Sequence, residues 1–553
     1  MAKELAHRGP DDHGIYTHAE MSLGFQRLSI IDLSENGRQP MSNEDGTIWI
    51  VYNGEVYNHQ DLRVELESKG HRFRSRTDTE VIIHAYEEDG PDCVQRLNGM
   101  FAFALWDSRT RTIILARDRI GIKPLYYSIR NGRLSFASEI KALLQDPTLD
   151  REVNADALHC YLAYEFVPAP LTMFRGISKL LPGHYLVWQS GSHEIHRYWD
   201  LSFDRSARGR QDLEAELVDR LAVAVRRRLM SDVPLGVFLS GGIDSSAILA
   251  LMHKELGDGI RTITLGYADP TFSELPYARM VSEHFRTIPA EILIHPVSTE
   301  DIETAVWHLD EPMTDLSTIP FYQISRRAKA DVTVCLSGEG GDETFAGYER
   351  FIASRLYAQY ARWPKAVRAL GRSILSRLPD QPQKKGIINM LKRFVEGAQL
   401  PAGLGHLRWQ YFLSPQEANS LFRSDFLARL NLDPVCFAER YASQCPSVHD
   451  LERELYVDLR LVMADSVLMK VDKMSMAHAL EVRVPFLDHE FQEFCATIPP
   501  EWKLNGLHTK VILRSALRGL LPPKILSRKK QGYSLPIKNW LREDLRDYMI
   551  ELL

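Results

Sequence analysis

Cysteine is scarce and scattered. The six in 553 residues are Cys93, Cys160, Cys335, Cys436, Cys445 and Cys495, and no C-x-x-C pair occurs, which excludes a zinc ribbon or a disulfide framework and fits a reducing compartment. No apolar run reaches the roughly 18 residues that a membrane span needs, and the first ten residues hold no apolar core of signal-peptide length, so a soluble, cytoplasmic protein without membrane contacts is expected. Neither sign of charge dominates: 67 Lys and Arg stand against 73 Asp and Glu, a net charge of −6, and nothing calls for nucleic acid as a partner. No Gly-Lys dipeptide exists, so a Walker A loop is excluded, and no G-x-G-x-x-G follows a strand, which removes the usual dinucleotide reading.

What is present is ordinary globular composition, 44% hydrophobic and 25% charged, in a chain long enough for two to four domains. Residues 21–145 alternate short strands (Ser22–Phe25, Thr47–Tyr52, Phe101–Trp106, Thr112–Ala116) with two helical segments, Asp61–Lys69 and Thr79–Glu88, and predict an α+β domain over residues 1–150. Pro168, Pro170, Pro182 and Gly183 punctuate residues 151–205, which read as connecting strands and a linker. In residues 206–553 an amphipathic helix carrying Leu213, Leu217, Leu221 and Val225 opens a strand–helix alternation: strands Val233–Leu239, Ile260–Leu265, Ile288–Ile294 and Val332–Leu336, helices Ser246–Leu256 and Ser273–His284. Such alternation predicts an α/β doubly wound parallel sheet. After about 350, stretches such as Glu417–Leu430 and Leu451–Ala479 read as a mainly helical C-terminal part.

The sharpest local feature is Leu239-Ser240-Gly241-Gly242-Ile243-Asp244-Ser245-Ser246, between an apolar strand and a helix. Paired glycines, a helix N-terminus and three serines suit a phosphate chain, and the carboxylate of Asp244 beside an anion site makes sense if a divalent cation lies between them. The bland alternative is a Ser-capped Gly-rich turn. A second loop, Ser337-Gly338-Glu339-Gly340-Gly341-Asp342-Glu343, follows the strand ending at Leu336. Its three carboxylates would repel one another without a cation or a basic side chain, and the carboxyl end of a parallel strand is where α/β sheets bind ligands. An acidic surface turn is the competing reading.

The first loop resembles the signature of the ATP pyrophosphatase family. Taken with the second loop, with Glu481-Val482-Arg483-Val484-Pro485-Phe486-Leu487-Asp488 and with Thr509-Lys510-Val511-Ile512-Leu513-Arg514, residues 210–545 resemble the synthetase half of glutamine-dependent asparagine synthetases. The resemblance implies ATP and Mg²⁺ as cofactors: Ser240, Gly241, Gly242, Asp244 and Ser245 on pyrophosphate, Asp244 and Asp342 on Mg²⁺. It places Phe238, Leu265, Ser337 and Gly338 around adenosine, although relatives often carry other aliphatic residues at the first two positions. Glu339 would support formation of a β-aspartyl-adenylate, and Lys510, read here as part of a helical segment, would stabilise charge as ammonia attacks. Physically this is sound, because a carboxylate resists attack until adenylation supplies a leaving group.

His7-Arg8-Gly9-Pro10, Arg27-Leu28-Ser29, Asn53-Gly54-Glu55, Asp78-Thr79-Glu80 and Arg117-Asp118-Arg119 resemble a class II glutamine amidotransferase domain, an N-terminal-nucleophile hydrolase of layered sheets and helices. By position Arg27 would clamp the glutamine α-carboxylate, Asp78 its α-amino group, Asn53 and the Gly54 N–H the oxyanion, and Glu55 would lie alongside. On composition alone Asn53-Gly54 is a hairpin turn. Members of that family begin Met-Cys-Gly-Ile, whereas Ala2 stands here and no cysteine precedes Cys93, so the chain holds no nucleophilic cysteine at the expected place. A truncated or misassigned start and a natural loss compete as explanations, the retained pocket favouring the first; the absent strand would leave a sheet edge and core surface uncovered.

The expectation is an asparagine synthase type ligase that amidates aspartate with release of AMP and pyrophosphate, using glutamine in a full-length form and ammonia in this chain. Two alternatives stay open, a related amidotransferase with another carboxylate acceptor, such as a sugar acid or a β-lactam precursor, and a non-catalytic nucleotide-binding regulator. A homodimer is neither required nor excluded.

Overall fold

A computed structural model describes residues 1–18, 20–267, 273–294, 297–315, 317–379, 386–398, 404–409, 413, 415–528 and 545–552. Its N-terminal strands are β1 (Asp12–His18), β2 (Met21–Arg27), β3 (Met41–Ser42), β4 (Ile48–Val56), β5 (Gly99–Asp107), β6 (Thr112–Arg117), β7 (Tyr126–Arg130), β8 (Arg133–Ala137), β9 (Ser178–Lys179), β10 (His184–Gln189) and β11 (Ser192–Arg197). Six of them pair antiparallel in the order β11-β10-β6-β5-β4-β3. Period-two alternation gives this sheet two apolar faces. Ile50, Tyr52, Phe101 and Phe103 pack with Leu66 of α1 (His59–Ser68) and Val81 of α2 (Asp78–Asp89). Val51, Ala102, Ala104 and Trp106 pack instead with Met21 and Leu23 of the β1–β2 hairpin and with side chains of β7 and β8. Residues 178–197, read from sequence as part of a connection, thus supply strands to the N-terminal sheets, because β10 pairs with β6 about seventy positions earlier.

The second sheet is parallel, built from β12 (Leu235–Phe238), β13 (Arg261–Tyr267), β14 (Ile288–Ile294), β15 (Val334–Leu336) and β16 (Glu481–Arg483) in the order β14-β13-β12-β15-β16. Helices Arg210–Arg227 and Ile243–Leu256 cover the face carrying Val237, Val334 and Leu336. Helices Thr318–Lys329 and Leu468–Met476 cover the face carrying Phe238, Ile263 and Cys335. With helices on both faces the sheet is doubly wound, as the strand–helix alternation predicts. The chain enters at β12, winds outward to β14, then returns to β15 on the other side, so β12 and β15 flank the point where winding direction reverses, and ligands bind at such points in open α/β sheets.

Boundaries differ in detail from the sequence reading. The helix after the Ser240 loop begins at Ile243, and Glu417–Leu430 is two short helices, Pro415–Leu421 and Ser424–Leu427, rather than one. Leu451–Ala479 is helical nearly throughout, with a π-helical stretch over Asp458–Val467. No helix among the described residues is long and apolar enough to cross a membrane.

Candidate active site

The Ser240 loop folds back on its own helix. The Ser245 hydroxyl accepts from the Ser240 N–H (3.2 Å) and lies 3.1 Å from the Ser240 hydroxyl, which in turn accepts from the Gly242 N–H (3.2 Å). Gly241 adopts φ +67 and has no room for a side chain, since a Cβ there would come within 2.5 Å of the Tyr277 and Ala278 backbone. The second loop presses directly on the first: a Cβ on Gly338 would meet the Ser245 N at 2.7 Å, and one on Gly341 the Asp244 Oδ1 at 2.5 Å. Two Gly-rich strand ends therefore lie in direct backbone contact.

Lys510 bridges the two loops. Its ammonium lies 2.5 Å from Asp244 Oδ2 and 2.6 Å from Asp342 Oδ1, although the three residues are widely separated in sequence. The helical assignment of Lys510 is corrected: the residue precedes helix Val511–Ala516, in left-handed backbone conformation with φ 52 and ψ 36. That geometry turns its buried side chain back toward the carboxylates, and Gly347 leaves it space, because a Cβ there would meet the Lys510 Cε at 2.3 Å. Arg514 donates to the Thr509 and Leu526 carbonyls and lies within electrostatic reach of the same two carboxylates.

The acidic loop disperses its three carboxylates. Asp342 pairs with Lys510. Glu339, half-buried, lies within electrostatic reach of Lys470, which is itself held by Asp315 at 2.9 Å. Burial first, and then Asp342, push the Glu343 carboxyl up to about 7, while Tyr348 donates to it at 2.6 Å. Phe238 and Leu265 stand in the apolar cluster at the ends of β12 and β13, with Phe238 edge-on to Phe321 at 5.4 Å. The Ser337 N–H donates to the Arg483 carbonyl at 2.9 Å.

In the N-terminal part, Arg27, Asn53, Gly54, Glu55 and Asp78 line one cleft of about 780 Å³, together with Ala2, Tyr52 and Thr79. Arg27 donates to the carbonyls of Ser34 (2.9 Å) and Asp32 (2.5 Å). Asp78, first residue of α2, accepts from the Tyr52 hydroxyl (2.6 Å) and the Val56 N–H (2.8 Å), and burial raises its pKa. Tyr52 is a partner that sequence reasoning missed. Asn53-Gly54 is no hairpin turn: both lie inside β4, opposite Ala102 and Phe101, and glycine is required because a Cβ would meet the Met100 carbonyl at 2.1 Å. Away from the polar corner the cleft is lined by Met21, Leu23, Leu134, Phe136 and Trp188.

The described cysteines offer no substitute nucleophile in this cleft. Cys93 packs in the cluster on the opposite face of the sheet, and burial pushes its thiol up to about 12.

Residues 216–553 match the asparagine synthase family and residues 1–199 the glutamine amidotransferase domain family. The chain is 34% identical over its whole length to asparagine synthetase [glutamine-hydrolyzing] 1 of Bacillus subtilis, covering 86% of that protein. It is likewise 34% identical to asparagine synthetase [glutamine-hydrolyzing] 3 of the same organism, over 96% of this chain and 83% of that one. Amidase chyE of Penicillium rubens is 30% identical, over 97% of this chain and 84% of its own length. The protein belongs to the glutamine-hydrolysing asparagine synthetase family and is a ligase of that type.

Proposed function

We propose that the synthetase half amidates the side-chain carboxylate of aspartate through a β-aspartyl-adenylate, releasing AMP and pyrophosphate. The observation that carries this reading is the convergence of Asp244, Asp342 and Lys510 at the mouths of two touching Gly-rich loops. The donor set fits Mg²⁺, a hard cation that takes carboxylate oxygens, because Asp244 and Asp342 already meet around one cationic atom. Bound there, the metal would neutralise charge on the phosphates. The loop hydroxyls and N–H groups of Ser240 to Ser245 hold the pyrophosphate portion of ATP, Phe238, Leu265, Ser337 and Gly338 frame its adenosine, and Glu339 supports adenylation. Lys510 stabilises the charge that grows when ammonia attacks the acyl carbon and AMP departs.

Arg27, Asp78, Asn53, Gly54 and Glu55 are the glutamine-binding set in this reading, but a thioester requires a thiolate, and none of the six cysteines supplies one there. Ammonia is thus the nitrogen source for the 553-residue chain. The deciding experiment incubates protein with ATP, Mg²⁺, aspartate and ammonium; AMP and pyrophosphate should appear in equal amounts, and ADP with phosphate would overturn the reading. The likeness to a fungal amidase favours testing other carboxylic acids beside aspartate in the same assay.

A further inference from the structure

On the helix-covered side of the N-terminal sheet, away from the cleft, two histidines aim the same ring nitrogen at one oxygen. His84 Nδ1 lies 2.8 Å, and His71 Nδ1 3.3 Å, from Glu87 Oε2. The three ligand atoms lie within 4.8 Å of one another. Two of them are hydrogen-bonded on the far side, and the third stands near a carboxylate. His71 Nε2 is 3.1 Å from Glu88 Oε1, His84 Nε2 is 3.9 Å from Glu80 Oε1, and Glu87 Oε1 accepts from Asn43 Nδ2 at 2.9 Å. Glu80 is fixed in turn by the N–H groups of Arg74 and Ser75.

We infer that His71, His84 and Glu87 form a binding site for a divalent transition metal of the zinc class. Two imidazole nitrogens and one carboxylate oxygen suit that class, and a fourth position can be completed from solvent, because His71 and Glu87 are 15% and 18% exposed while His84 is buried. The carboxylate hydrogen-bonded behind His71, with Glu80 3.9 Å behind His84, gives an outer shell of the kind that orients histidine ligands and raises their basicity. His84 and Glu87 lie one turn apart on α2, whereas His71 comes from the connection between α1 and α2. A bound metal would therefore pin that connection to the helix whose first residue is Asp78. The competitor is a proton: burial opposes charge on His84, but Glu80 and Glu87 bring its pKa up to about 9.

The test uses the untagged full chain, equilibrated with Zn²⁺ at neutral pH, passed over a desalting column and assayed for retained metal. One equivalent should stay with the wild type and raise its thermal midpoint. It should be lost from His71→Gln, whose partly exposed side chain makes a folded variant expected, and from His84→Gln. Glu88→Gln, which changes only the outer shell, should weaken zinc affinity about tenfold. Ammonia-dependent synthesis should be unchanged in His71→Gln, since none of these residues belongs to the proposed synthetase site. No zinc retained by wild type, or equal retention by folded His71→Gln, overturns the inference and leaves the cluster as a set of proton-bridged ion pairs.

Discussion

Arg483 joins the two candidate sites through one residue: its guanidinium lies 3.0 Å from the Glu55 carboxylate of β4, which lines the N-terminal cleft, while its own carbonyl accepts the N–H of Ser337 in the second Gly-rich loop. The guanidinium is fully buried, also pairs with Glu481 at 2.8 Å and donates to the carbonyls of Arg228 and Met230. The cations of Arg228 and Arg483 both lie against the Tyr57 ring, at 4.4 and 5.6 Å from its centre. Removing one partner of a buried pair strands the other. Arg483→Met should destabilise the protein by about 3–5 kcal/mol, and Glu55→Gln added to it should restore part of the loss. Thermal midpoints of the two single variants and the double variant check this.

At the synthetase site, Asp244→Asn and Lys510→Ala should fail differently. On the proposed roles the first removes a cation ligand and should raise the Mg²⁺ concentration needed for half-maximal rate. The second removes an ammonium that acts on developing charge, so kcat should fall about 10²–10³-fold with a smaller change in the KM for ATP. Steady-state kinetics with Mg²⁺ and ATP varied separately would expose equal effects, which contradict the assigned roles.

Glycine positions sort by what surrounds them. Gly347→Ala would drive a methyl group into Asp342 and Lys510, Gly338→Ala one into the Ser245 N–H, and each should lower the synthetase rate by about a hundredfold, the scale expected when reacting groups move by roughly 1 Å. Gly371, in helix Lys365–Arg377 with open space around it, is the control: Gly371→Ala should leave activity intact and raise stability by about 0.5–1 kcal/mol. The same kinetic assay and a melting curve read all three.

Glu343 gives a pH dependence with a defined sign. Its carboxyl is held up to about 7 in the folded protein, against an ordinary 4.5, so between these values the folded state keeps a proton that the unfolded state releases. Its contribution is complete below the ordinary value and is lost as pH rises through about 7. Relative to wild type, Glu343→Gln should gain thermal stability as pH goes from 5 to 8. A constant difference across that range would contradict the raised pKa.

Nitrogen use separates the two halves. Ammonium should support synthesis, and glutamate release from glutamine by the 553-residue chain should be negligible beside it. Comparable rates would mean that a residue other than cysteine serves as the nucleophile.

The parts of this structure that depend on near neighbours were legible in the sequence. Strand alternation predicts β4, β5 and β6 within a few residues, and the Ser240 loop announces itself because strand, glycines and helix start are contiguous. What stayed hidden depends on distant contacts. Asn53-Gly54 reads as a turn until the Met100 carbonyl is seen to occupy the space a side chain would need. Lys510 reads as a helix residue because its left-handed backbone is held by tertiary contacts, including an N–H bond to the Phe345 carbonyl. The pairing of β10 with β6, the Arg483–Glu55 contact and the His71–His84 pair likewise join residues that no local pattern connects.

Held between two aspartates, Lys510 makes the synthetase pocket its own counterion. Lys510 sits on both carboxylates and Arg514 is near them, so a lone metal ion meets far less attraction than a bare carboxylate pair would offer, and must displace a tethered ammonium to claim it. A polyphosphate changes that balance, since it gives the ammonium somewhere else to go. The protein should therefore take up metal and nucleotide together as one exchange of partners, and stay deaf to metal alone.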